Sequence, residues 1–249
     1  MPALTPDQEA LVEDVRAFLD NEPEAPAFKN LDQRFSYLVD YQRRLNEARL
    51  AVPAWPAELG GRGLDVAEAA VVSRALGLGG APELINFVGT DVVGPALLRF
   101  ATPEQLRAWM PKMAAAEEIW CQLFSEPDAG SDLTSLRTRA ERVDAGFRID
   151  GQKVWSTWAQ YARWGLLLAR TGTAEARHRG ITAFVIEMDR PGIAVRPLTT
   201  MTGSAEFAEV FFDGLLVPED AVIGDLDPAQ HRRRTLARSS PRTGELMPT

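Results

Sequence analysis

The sequence predicts an α+β protein: an N-terminal all-α helical domain over residues 1–118, followed by an antiparallel β-barrel or sandwich domain over 119–225. Three observations carry the expectation. Up to about residue 118, apolar residues recur at spacings of three and four behind recognisable helix starts, which lines one face of a helix. From Ile119 onward the segments become short, rich in Val, Ile, Phe and Trp, and separated by Gly, Pro or Asp turns, as strands are. No helical pattern intervenes between those strands, which points away from a parallel nucleotide-binding sheet. A chain of 249 residues accommodates two cores, because single domains commonly hold about 100–150 residues.

Three helix starts are marked. Thr5, Pro6 and Gln8 have the form of an N-cap, a first-turn proline and a capping-box partner; Thr102, Pro103 and Gln105 repeat it, and Asp65 with Glu68 makes a third box. In such a box the cap side chain takes up a free N-terminal N–H, and the residue three positions on bonds back to the cap. Behind the caps run the stripes Leu11, Val15, Phe18, Leu19; then Phe28, Leu31, Phe35, Leu38, Leu45; then Val72, Ala75, Leu76; then Val93, Leu97, Leu98, Phe100. Each stripe is one-sided and requires a neighbour for burial. The stretch 52–65, VPAWPAELGGRGLD, holds two prolines and three glycines and reads as a connecting loop with no regular element.

Strands are expected at 119–124, 137–143, 147–154, 165–170, 181–188, 193–198 and 206–212. After Gly224 the periodicity ends. Residues 226–249 carry five Arg against two acids and neither period, and are read as a disordered, Arg-rich tail of the kind a changed reading frame or early stop produces.

Composition excludes several functions. A net charge of −8 argues against a nucleic-acid partner, which would call for a basic face to neutralise phosphates. No apolar run approaches the ~18 residues of a membrane span. The opening MPALTPDQEA has acids before any Lys or Arg and no apolar core, so no secretory or transit signal is expected and the address is cytoplasmic. Cys121 is the only cysteine, so no internal disulfide can form. His178 and His231 sit in basic, hydrophilic surroundings, which disfavours a metal site or a nucleophile–base pair. Neither GxGxxG nor GxxxxGKS occurs.

The run Trp120-Cys121-Gln122-Leu123-Phe124-Ser125-Glu126-Pro127-Asp128-Ala129-Gly130-Ser131-Asp132 resembles the signature of the acyl-CoA dehydrogenases, a strand running into a Thr/Ser-Glu-Pro-x-Ala-Gly-Ser-Asp turn. About 20 residues on, Gly151-Gln152-Lys153-Val154-Trp155-Ser156-Thr157 is similar to that family's second flavin motif, and Met201-Thr202-Gly203 through Phe211-Phe212-Asp213 and Val217-Pro218 to its third block. Three blocks in order are far more specific than one, and together they cover about residues 119–225.

The resemblance implies FAD as cofactor and an acyl-CoA thioester as substrate. In the implied reaction a glutamate removes the α-proton while a hydride leaves the β-carbon for the flavin. It carries flavin contacts onto Gln122, Phe124, Ser125, Trp155, Ser156 and Thr157: Thr157 as hydroxyl donor near N5, Trp155 as the ring against the isoalloxazine, Ser156 through its backbone. Thioester contacts fall on Gly130 and Ser131. Glu126 and Asp132, standing in a turn of Pro, Gly and Ser, are expected to bracket it through hydrogen bonds rather than to work as an acid–base pair. No catalytic residue is expected in this chain, because in the family the glutamate lies in a C-terminal helical domain, which also completes the flavin site and the oligomer. A chain of this extent alone is expected to be inactive, to expose an apolar face and to associate with itself or a partner; electron-transferring flavoprotein is the implied acceptor. Asp128 stands where the family commonly has glycine, Gln122 where it has an aromatic, and Ser156-Thr157-Trp158 where it has Ile-Thr-Asn. Two other expectations stay open: a non-catalytic subunit that lends its β-domain to a complete partner chain, and a relative with oxidase or monooxygenase chemistry.

Overall fold

A computed structural model describes residues 4–224. The tail expected at 226–249, with His231, lies outside the described residues. Among the described residues five α-helices come first: α1 Pro6–Asp20, α2 Leu31–Glu47, α3 Val66–Leu78, α4 Gly94–Phe100 and α5 Pro103–Ala114. All three capping boxes form, on Thr5, Asp65 and Thr102, with both reciprocal bonds present in each. Helix α2 starts from Asn30, whose side chain accepts the Gln33 N–H, a cap the stripe reading overlooked by beginning at Phe28. That residue precedes the helix and is exposed. Val93 belongs to a π-helical turn, Val88–Val93, that runs into α4, and the 52–65 loop contains one 3₁₀ turn, Ala57–Leu59.

Eight strands follow among the described residues: β1 Trp120–Leu123, β2 Arg139–Val143, β3 Gly146–Thr157, β4 Trp164–Arg170, β5 Ile181–Glu187, β6 Ile193–Leu198, β7 Phe207–Val217 and β8 Val222–Ile223. They form one sheet in the order β6-β7-β3-β2-β4-β5-β8, with β1 added to β4. Most pairings are antiparallel, as expected. The exceptions are β1 with β4 and β2 with β4, both parallel, because the chain leaves β1 through a turn, makes the β2–β3 hairpin and returns along β4 in β1's direction. Strands β3 and β7 outrun their expected lengths and pair with each other along most of their course.

Alternation along the strands gives the sheet two apolar faces. Cys121, Leu123, Phe147, Ile149, Leu167, Phe184 and Val210 fill one. Trp120, Leu166 and Val185 on the other face pack against Trp55, Leu97 and Met113 of the helical half. The rings of Trp109, Trp120 and Trp164 lie 5.6–5.7 Å apart, centroid to centroid, and such pairs add about 0.5–1.5 kcal/mol each beyond their buried area. Trp158 is buried among Leu38 and Ile85, beside Phe35 and Tyr161, so it fastens the end of β3 to α2.

One polar knot crosses this junction. Asn86 Oδ1 accepts the N–H of Trp120, the first residue of β1, at 2.9 Å, while its Nδ2 donates to the carbonyls of Met113 (2.9 Å) and Glu118 (3.1 Å). Gln42 accepts the Asn86 N–H at 2.9 Å and donates to the Ala114 carbonyl at 3.0 Å. Gly89 is glycine because a Cβ there would come within 2.6 Å of Asn86 Oδ1.

Candidate functional site

The strand β1 ends at Leu123 and the chain turns immediately. The Glu126 N–H bonds the Ala129 carbonyl at 2.9 Å and the Ala129 N–H returns to Glu126 at 3.1 Å, closing the turn at its base. The Glu126 carboxylate is buried and fully engaged. Oε1 accepts from Lys153 Nζ (2.8 Å) and the Thr138 N–H (2.9 Å), and Oε2 accepts the Arg137 N–H at 2.6 Å. Lys153, at 0% exposure, also donates to the Phe124 carbonyl at 2.9 Å. Asp132 is exposed and takes the Thr134 hydroxyl. Both acids bracket the turn, as the sequence suggested, although Glu126 reaches partners eleven and twelve residues away rather than neighbours within it.

This arrangement brings the two motif segments together. The Val154 N–H donates to the Ser125 carbonyl at 2.9 Å, so Phe124 and Ser125 lie against the stretch of β3 that carries Trp155, Ser156 and Thr157. The ladder partner of β1 is nevertheless β4; the hydrogen bonds to β3 come from the segment just beyond β1. Gln122 pairs with Leu166 on β4, is half-buried, and its amide makes no hydrogen bond among the described residues. Gly130 and Ser131 are exposed on the far limb of the turn. A Cβ on Gly130 would meet no protein atom, so nothing within the described residues demands glycine there, and only a group approaching from outside would.

A β-bulge decides which way the Trp155 ring faces. Along β3 the inward residues are Phe147, Ile149 and Lys153, the odd positions of a period of two. Between Lys153, opposite Val210, and Ser156, opposite Ala208, β3 has one residue more than β7. After it the inward phase is even: Ser156 and Trp158 are buried. Trp155, which unbroken alternation would place inside, is turned out to 57% exposure with its ring edge-on to Phe207 at 5.8 Å. Its φ is +60°. A left-handed backbone costs a non-glycine residue about 1–2 kcal/mol, and such outliers cluster where a side chain must be aimed. Thr157 is half-buried and its hydroxyl has no partner among the described residues. The Ser156 side chain is buried and its Oγ likewise unpartnered, so any contact it makes with a ligand runs through its backbone.

Other chemistries find no support here. Burial pushes the Cys121 thiol up to about 12, which makes it inert as a nucleophile. Among the described residues no three His, Cys, Asp or Glu side chains are grouped to hold a metal, and no helix is long and apolar enough to cross a membrane.

Comparison with known proteins bears on this geometry. Residues 5–117 match the acyl-CoA dehydrogenase N-terminal domain and residues 121–215 the acyl-CoA dehydrogenase middle domain. The chain belongs to the acyl-CoA dehydrogenase family. It is 41% identical over 184 residues to acyl-CoA dehydrogenase IpdE1 of Mycobacterium tuberculosis, covering 74% of this chain and 48% of that protein. It is 43% identical over 196 residues to acyl-CoA dehydrogenase FadE34 of the same organism, covering 78% and 27%. Among solved structures it resembles the ChsE4–ChsE5 complex from Mycobacterium tuberculosis, with 26% identity, a TM-score of 0.74, and coverage of 96% of this chain and 61% of that one. The chain spans about half the length, or less, of these two curated relatives.

Members of the acyl-CoA dehydrogenase family are flavoproteins, and the residues present fit a flat ring. An outward indole held by a bulge stands next to a free hydroxyl, with the Ser125 limb fixed beside them. What the motif reading missed is the device that fixes them, Lys153 with Glu126, Thr138 and the Arg137 N–H. A signal was there: Lys153 has the same parity as Phe147 and Ile149, so alternation alone puts it inside.

Proposed function

We propose that this chain forms the flavin- and thioester-contacting part of an acyl-CoA dehydrogenase, with FAD as cofactor and an acyl-CoA thioester as substrate. The observation that carries the reading is the bulge at 154–155, which accepts left-handed strain to present Trp155 beside Thr157 and Ser125. When bound, the flavin supplies the two-electron acceptor for oxidation of the thioester's Cα–Cβ bond. The chain's own residues do the rest. Trp155 covers one edge of the ring, the Thr157 hydroxyl donates a hydrogen bond to it, and Phe124 and Ser125, with Gln122 behind them, offer fixed polar groups that need little reorganisation as charge accumulates. Gly130 leaves the turn open to the thioester's pantetheine arm and Ser131 offers it a hydroxyl.

No carboxylate in this cluster is free to act as the α-proton base, since all of Glu126's hydrogen bonds are committed within the protein. The resemblance assigns that base to a C-terminal helical domain, so the chain by itself is tested by binding rather than turnover. Electron-transferring flavoprotein as acceptor, a cytoplasmic address and assembly into an oligomer belong to the same proposal.

Titrating FAD into the purified chain, followed by visible absorbance and calorimetry, is expected to give stoichiometric binding. Thr157→Ala should weaken it about fivefold, the loss of one hydrogen bond of about 1 kcal/mol. Folded protein that takes up no FAD, or a Thr157→Ala variant with unaltered affinity, would count against the reading. Trp155→Gly separates site from scaffold. Relief of left-handed strain, about 1–2 kcal/mol, offsets the lost Phe207 contact of about 0.5–1.5 kcal/mol. Thermal unfolding should therefore move by no more than about 1 kcal/mol while FAD affinity falls; a large loss of stability would make Trp155 a structural residue instead.

A second reading, a binding subunit that serves a complete partner chain, is favoured by the likeness to a two-protein assembly. Recovery of a full-length relative in stable complex with this chain would decide for it.

A further inference from the structure

Among the described residues only two charged side chains are buried, Lys153 and Glu126, and they bond each other at 2.8 Å. A clamp between β3 and the turn after β1 does not require charge, because a well-packed apolar pair of similar volume often holds as well as a buried ionic one. Lysine is a costly choice for the position. Burial pulls the Lys153 pKa down, and only the hydrogen bond and charge of Glu126 pull it back. The other group that the ammonium reaches shows where the charge is directed.

Lys153 Nζ donates to the Phe124 carbonyl at 2.9 Å. That carbonyl belongs to the peptide joining Phe124 to Ser125, and in a planar trans peptide the N–H leaves on the side opposite the C=O. The Ser125 N–H therefore points away from the ammonium, and among the described residues it has no partner. The β1–β4 ladder has already ended, at Leu123 opposite Leu167, and Ser125 is tied to β3 through its own carbonyl, which accepts the Val154 N–H at 2.9 Å. A peptide whose oxygen accepts from a cation is polarised, so its N–H becomes a stronger donor than one whose oxygen meets a neutral group. The two ends of the ion pair are unequal as seen from this peptide. The Glu126 charge is drawn off by the Thr138 N–H at 2.9 Å and the Arg137 N–H at 2.6 Å, whereas the Lys153 charge bears directly on Phe124.

We propose that Lys153 is a positioning residue that polarises the Phe124–Ser125 peptide and so makes this locus hold reduced FAD more tightly than oxidised FAD. The proposal rests on the flavin reading above and adds to it the origin of a redox preference. Two-electron reduction puts negative charge on the ring, and a fixed, strengthened N–H favours the charged form over the neutral one. A cofactor bound more tightly in one redox state than in the other has its potential shifted by that difference in affinity.

The test compares two titrations of the full chain, oxidised FAD in air and dithionite-reduced FAD under nitrogen, each by calorimetry, with the midpoint potential of the bound flavin as a check on their ratio. Wild type is expected to favour reduced FAD, which places the bound potential above that of free FAD. Lys153→Met combined with Glu126→Leu keeps a packed pair in place and removes the cation. It should lower the preference about tenfold, the difference between a charge-assisted and a neutral hydrogen bond, and bring the midpoint down by about 30 mV for a two-electron couple. A pair that only braces the limb would weaken both forms alike. An unchanged ratio in the double variant therefore overturns the proposal and leaves the flavin reading standing. Wild-type protein that holds oxidised FAD as tightly as reduced, or more tightly, does the same and requires no variant to fold. Folded protein that takes up neither form defeats the flavin reading, and the proposal with it.

Discussion

Replacing Lys153 with alanine should lower stability by about 3–5 kcal/mol, the range for removing one partner of a buried ion pair. The magnitude follows from what is left behind. Glu126 would remain buried with two backbone N–H donors but no counter-charge, and the Phe124 carbonyl would lose the ammonium at 2.9 Å. Urea unfolding should show the midpoint falling with the slope unchanged. A double variant, Lys153→Met with Glu126→Leu, should recover much of the loss, because a well-packed apolar pair often equals a buried ionic one. If the double variant is as unstable as Lys153→Ala, the pair does more than neutralise itself. The acid side gives an independent check. Burial pushes the Glu126 carboxyl up, but hydrogen bonds from Lys153, Thr138 and the Arg137 N–H outweigh it and hold the group below the ordinary carboxylate range. A carboxylate with a folded pKa below its unfolded value of about 4.3 contributes fully above that value, and the contribution disappears as pH falls through the lowered one. Wild type should therefore lose stability in that acid window, and the double variant should lose less of it. FAD binding should fall along with stability in Lys153→Ala, since the pair fastens the Ser125 limb to the strand that carries Trp155.

The parts of this fold that were legible in sequence are those governed by local rules. Capping boxes at Thr5, Asp65 and Thr102 state their partners three residues on, and alternation in β3 as far as Lys153 is written in the side chains themselves. The bulge was not legible. It is defined by a mismatch with β7, some fifty residues away, and a strand that carries an extra residue looks in sequence like one that does not. The motif match nevertheless put Trp155 outside, where period alone would have buried it. The parallel placement of β1 on β4 and the Asn86 knot were hidden for the same reason: each is a relation between distant segments with no local signal.

Asn86→Ala is the second large effect we expect, about 3 kcal/mol or more. The substitution removes little apolar surface, so the loss comes from polar groups that cannot find water. The Trp120 N–H and the Glu118 carbonyl would each lose a partner, an orphaned group costing about 1–3 kcal/mol, while the Met113 carbonyl would keep the Ala116 N–H at 3.2 Å and a long bond of 3.4 Å from Gln42. Because Gln42 bonds the Asn86 N–H and shares its acceptor, Gln42→Ala combined with Asn86→Ala should cost less than the two changes added together, a coupling that a double-mutant cycle measures directly. The consequence reaches the site. Trp120 opens β1, and β1 leads through Gln122 to Phe124 and Ser125; with its first N–H released, the strand keeps its pairing to β4 and its apolar packing but loses its hydrogen bond to the helical half. Hydrogen exchange should then show faster opening at Trp120 and Cys121 than in the β3–β7 ladder. Were exchange to rise uniformly through both halves, Asn86 would be an ordinary contributor to one cooperative core, and the helices would hold β1 by apolar contact alone.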